Sequence, residues 1–119
     1  MNTVSLYGRL AGDPRTAAFE KGTTVTRLRI AVRRPLPNGN DAEPDFFDVQ
    51  AWGSLGAAAE RLRSGQPIGV SGRLRQHTQT TDAGERRDRV YVVADWIDFP
   101  PPMITHAPTP VVTPEPIAA

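Results

Sequence analysis

Cysteine is absent from the 119 residues, so disulfides, thiolate metal sites and cysteine nucleophiles are excluded. Histidine is scarce: His77 and His106 are too few and too far apart in the chain to make a metal site. No apolar run approaches the length of a membrane span, and the opening residues lack the basic and apolar regions of a secretory signal. A cytoplasmic protein without membrane contact is expected. Catalytic patterns are missing as well. Gly69-Val70-Ser71-Gly72 has neither the spacing of a nucleophile elbow nor the ending of a phosphate-binding loop. Asp45 and Asp48 project from opposite faces of a strand, so they cannot work as a carboxylate pair. No enzyme activity, cofactor or metal is expected.

Lysine is nearly absent too. Of the 14 cations only Lys21 is not arginine, and all lie between Arg9 and Arg89. The net charge is only +1, so bulk charge announces no polyanionic partner. Arginine pairs with phosphate through two parallel bonds and stacks on flat rings, which lysine does not. A GC-rich genome would also favour arginine, and the two explanations are compatible.

The most informative stretch runs from Asp45 to Gly53. It alternates with period two, which marks a half-buried strand. Phe47, Val49 and Ala51 point one way; Phe46, Asp48, Gln50 and Trp52 point the other. Two large aromatics sharing a face with polar groups read as a platform rather than a core. An unpaired nucleic acid strand is the natural guest for such a platform.

Four further strands frame it. Thr3 to Leu10 is the first, before a turn at Asp13-Pro14. Val25 to Arg33 sets Leu28, Ile30 and Val32 opposite Arg27, Arg29 and Arg33. Ile68 to Arg75 alternates Ile68, Val70 and Leu74 with Arg73 and Arg75, and Arg89 to Phe99 is rich in aromatic and branched residues. Pro35 to Pro44 reads as a mobile loop, and Gln76 to Arg87 as a polar stretch with a hairpin tip at Asp82-Ala83-Gly84. One helix is expected over Leu55 to Arg63, capped by Ser54, with Leu55, Ala58, Ala59 and Leu62 as its apolar stripe. This order predicts an all-β, five-stranded Greek-key OB-fold barrel with one helix between strands 3 and 4, over residues 1–99. Seven of the 12 prolines lie at or after Pro100, which predicts a disordered proline-rich tail over 100–119.

Several segments, in order, resemble the bacterial single-stranded DNA-binding protein family. They are Asn2-Thr3-Val4 to Gly8-Arg9-Leu10 with Asp13-Pro14, then Leu28-Arg29-Ile30-Ala31-Val32, then Phe46 to Leu55. Ala59 to Gly65 and Val70-Ser71-Gly72-Arg73-Leu74-Arg75 complete the set. The resemblance implies sequence-independent binding and protection of single-stranded DNA in replication, recombination or repair, by a nucleoid-associated homotetramer. It places Phe46 and Trp52 where the family stacks bases. Arg29, Arg33, Arg73, Arg75, Arg86 and Arg87 are the candidate phosphate contacts, although each alone also reads as a solvated surface residue; Arg86, Arg87 and Arg89 at the hairpin either grip phosphates or keep a strand edge soluble. Two further stacking positions of the family fall near Gln79 and Leu36, which are not aromatic. The ending Thr113 to Ala119 has no acidic cluster, so recruitment of partner enzymes through an acidic tip is not expected. These departures keep open an alternative, a primosome-type accessory OB protein that binds DNA weakly and bridges replication-restart proteins. Trp96 is expected in the core or at a subunit contact. Tyr7 is expected to face a subunit or DNA.

Overall fold

A computed structural model describes residues 1–40 and 42–99; the predicted proline-rich tail lies outside the described residues. Alternating residues form the strands β1 (Val4–Leu10), β2 (Arg15–Ala18), β3 (Thr24–Val32), β4 (Asp45–Trp52), β5 (Pro67–Thr80) and β6 (Arg86–Asp98). One helix, α1 (Gly53–Ala59), joins β4 to β5. The sheet order is β1-β5-β6-β4-β3-β2, and a further pairing of β1 with β3 closes five of the strands into a ring. This is the predicted OB barrel. The short β2 is an addition to it, an arm paired to the outer end of β3 from Arg15↔Arg27 to Ala18↔Thr24.

Closure of the ring is narrow. Only Arg9↔Ala31 and Leu10↔Ile30 join β1 to β3. Gly8 precedes them because a Cβ there would run into the carbonyl of Ala31. Inside, Leu10, Leu28, Ile30, Val49, Ile68 and Val92 are each at most 3% exposed, as the alternation predicts. Phe47 shares their parity but sits near the start of β4 and remains partly exposed.

The helix departs from expectation. It begins before Ser54, directly after Trp52, and ends at Ala59; no side chain caps its start. Gly56 takes the inner position expected of Ala58, which is exposed. The reason is closeness: a Cβ at Gly56 would strike the Ala51 carbonyl. Leu62 still reaches the core, from the turn after the helix, where its N–H donates to Ala59 O at 3.1 Å. Among the described residues Thr26 is the one buried polar residue, and its hydroxyl donates to Gly56 O at 2.9 Å. Its Oγ1 also lies 3.2 Å from Thr16 Oγ1. One side chain thus ties arm, barrel and helix together.

The loop after β3 turns back at Pro37 to Gly39, with Leu36 N donating to Asn40 O at 2.7 Å and Ala42 N to Arg34 O at 3.1 Å. The hairpin expected over Gln76 to Arg87 is present as a ladder, from Gln76↔Val90 to Thr80↔Arg86, that carries β5 and β6 well past the barrel. Its threonines suit a strand with both faces wet, and Thr78 Oγ1 donates to Asp88 Oδ1 at 2.8 Å. Finally, β6 holds a bulge. Ser71 pairs with Trp96 but Gly72 pairs with Ala94, leaving Asp95 unmatched. Val92 and Ala94 face inward before it and Ile97 after it, so Trp96 turns outward and is 66% exposed. Trp96 is therefore not a core residue of this chain.

Candidate nucleic-acid interface

Strand β4 sets Phe46, Asp48, Gln50 and Trp52 in a row on the outer face, spaced by about 7 Å per pair of residues. The register places Arg29 opposite Asp48 and Arg27 opposite Gln50 on β3. Each rung has its own companion. The Arg29 guanidinium lies 4.7 Å over the Phe46 ring, a cation–π contact. Arg89 Nη2, from β6, lies 3.6 Å from Asp48 Oδ2. Trp52 Nε1–H donates to Gln50 Oε1 at 3.2 Å, which folds the indole back along its own strand. Phe19 stands edge-on to Trp52, with ring centroids 5.3 Å apart and planes 85° to one another.

Phe19 closes the arm. Its N–H donates to Thr23 O at 2.6 Å, across a turn in which Lys21 and Gly22 both take positive φ. The ring is 57% exposed. Beneath it Val25, opposite Trp52 in the register, is only 1% exposed although it sits on the outer parity.

Two grooves meet at Trp52. A groove of about 520 Å³ runs between β4 and the β5–β6 hairpin, with Phe19, Arg27, Asp48, Gln50, Trp52 and Arg89 on its walls. A second, of about 470 Å³, is bordered by Gln50, Trp52, Arg73, Arg75, Tyr91 and Asp95. Both are open, and both have aromatic and arginine residues in their lining. Stacking on rings and neutralisation of phosphates are the two interactions such walls supply.

A family model described as the single-strand binding protein family matches residues 1–100. The chain belongs to this family. It is 34% identical over 101 residues to the single-stranded DNA-binding protein of Thermosynechococcus vestitus, covering 83% of this chain and 82% of that protein. It is 37% identical over 101 residues to the single-stranded DNA-binding protein of Clostridium tetani, covering 83% and 70% respectively. Against the single-stranded DNA-binding protein of Thermus aquaticus it is 36% identical over 100 residues, 84% of this chain but 38% of that longer protein.

In this family member the residues singled out from sequence divide into three groups. Trp52, Arg73 and Arg75 line the grooves. Phe46, 48% exposed, and Arg29 form their own unit at the far end of the same face. Arg33, just past the end of β3, and Arg86 and Arg87, at the outer end of the hairpin, border neither groove. Arg86 lies 3.6 Å from Asp88, and Arg87 is opposite Gln79. Sequence reasoning left out Phe19 and Arg27 as site residues, while Arg89 was read with Arg86 and Arg87 as a possible phosphate contact and lines the first groove. For Arg27 the signal was present in the parity of β3. For Phe19 it was weak, because the arm has only four strand residues and no alternation. Among the described residues no group of three or more His, Asp or Glu is placed to hold a metal ion, and no helix is long and apolar enough to cross a membrane.

Proposed function

We propose that the protein binds and protects single-stranded DNA without sequence preference and without catalysis, in replication, recombination or repair. One observation carries this reading: a solvent-facing row of aromatic rings and arginines on a closed OB barrel that belongs to the single-strand binding family. Bases stack on Phe46, Trp52 and Phe19. Phosphates are neutralised by Arg27, Arg29, Arg73 and Arg75, and a longer strand reaches Arg33 at one end of the face and Arg86 and Arg87 on the hairpin. Phe19 supplies a third ring in a chain without aromatics near Leu36 and Gln79. The protein acts in the cytoplasm, at the nucleoid, wherever single strands are exposed.

Assembly into a homotetramer fits the same reading. Outside Arg9 and Leu10, the second edge of β1 has no partner strand among the described residues. Tyr7 and Trp96 are 70% and 66% exposed on the outer face of the sheet formed by β1, β5 and β6. An open edge beside exposed rings is the kind of surface a second copy covers.

Oligo-dT titration of a Trp96→Phe variant, followed by tryptophan fluorescence, isolates Trp52 and tests the binding. Saturable quenching supports the platform. A flat trace from the folded protein would shift the reading to the accessory role, as would a dimer mass in light scattering.

A further inference from the structure

Of the outward residues on β4, three are aromatic or neutral, while Asp48 is an anion set in the middle of a face proposed to carry a polyanion. Its position is not incidental. Strands β4 and β6 pair only at Val49↔Val92 and Gln50↔Val93. Beyond these pairs the groove opens between β4 and the hairpin, and the Asp48–Arg89 contact bridges it, since both residues line its walls. The bridge is loose: 3.6 Å long, with the side chains 48% and 70% exposed. Among the described residues no hydrogen-bond donor is recorded on the Asp48 carboxylate beyond this ion pair. Exposed pairs of this kind are weak, whereas a guanidinium gains two charge-assisted bonds from a phosphate.

We propose that Asp48 occupies, on Arg89, the place that a backbone phosphate takes when a single strand crosses the β4 face, so that this carboxylate is a built-in brake on DNA affinity. The inference rests on the single-strand binding reading. A strand entering the groove exchanges its phosphate for the carboxylate at Arg89. Asp48 is then left beside the phosphate, with Arg29, across the register, shared between the two anions. Because Arg89 arrives already neutralised, the pair adds no net charge to the interface. Binding is therefore weaker, and less dependent on salt, than the arginine count alone implies.

The test is labelled oligo-dT binding by anisotropy across a salt series, for wild type, Asp48→Asn, Asp48→Ser, Arg89→Ala and the Asp48→Asn/Arg89→Ala double variant. Both Asp48 variants should bind about two- to fivefold tighter, the equivalent of the exposed pair that is lost. The slope of log K against log salt should steepen by about 0.7, one added effective charge on a single strand. Arg89→Ala should weaken binding, and in its background Asp48→Asn should gain less than it does alone. Melting temperatures report folding, which an exposed pair should leave unchanged. Equal or weaker binding by the folded Asp48 variants overturns the proposal, and so does an identical gain with and without Arg89. Phe46→Ala and Trp52→Ala run alongside. If these weaken binding while Asp48→Asn does not strengthen it, only the brake fails; if wild type does not bind oligo-dT, both readings fail.

Discussion

Arg29 and Phe46 meet diagonally across β3 and β4, the guanidinium 4.7 Å from the ring centroid, although Arg29 is registered opposite Asp48 and Phe46 opposite Ala31. One face of the Phe46 ring is thereby covered by a cation. A base stacking there uses the other face and has a positive charge within reach of its phosphate.

Phe46→Ala and Trp52→Ala should each weaken oligo-dT binding by about 1–3 kcal/mol, with unchanged thermal melts because neither side chain is in the core. Phe19→Ala should fall in the same range. Binding at wild-type strength by all three folded variants would remove stacking from the account.

Affinity should fall linearly on a log–log plot against salt, with a slope of about −0.7 for each phosphate neutralised. Removing Arg73 or Arg75 should reduce that slope. A binding constant indifferent to salt would leave the arginines without a role in the complex.

Thr26→Val keeps the shape of a fully buried side chain but removes the donor to Gly56 O. The carbonyl keeps the Glu60 N–H at 3.1 Å but loses this bond, and stability should drop by about 0.5–1.5 kcal/mol in chemical denaturation. An unchanged midpoint would mean that the helix finds another anchor.

A chain ending at Phe99 should keep its melting temperature and its oligo-dT affinity. Residues from Pro100 onward contain seven of the 12 prolines and no lysine or arginine, so they offer neither ladder bonds nor phosphate partners. Loss of folding or of assembly on truncation would show that this segment packs against the barrel or a second copy.

What could be read from residues alone follows from period. Strands with one wet and one dry face announce themselves, as Val25 to Val32 and Phe46 to Trp52 do, and the barrel with its central row came from them. Segments with no dry face leave no such trace. Gln76 to Thr80 is exposed on both sides, so only the turn residues Asp82-Ala83-Gly84 announced its hairpin, and Arg15 to Ala18 is too short to alternate, which hid Phe19 at its end. The helix shifted because Gly56 fits close to Ala51, a tertiary contact invisible to a pattern of apolar residues. The Asp48–Arg89 bridge joins residues on different strands and needed the register to appear.

The bulge in β6 has a consequence for how this surface can change. Without Asp95 the inward residues Val92, Ala94 and Ile97 would continue in unbroken alternation against Leu74, Gly72 and Val70. Asp95 is thus surplus to the core's own count. Gly72 makes room for the irregularity, since a Cβ there would collide with the Val93 carbonyl. The supernumerary carboxylate lies 3.9 Å from Arg73 on the rim of the second groove. The strand therefore carries a spare position, at which the charge lining the groove can be altered by chain length as well as by substitution while the inward side chains keep their places.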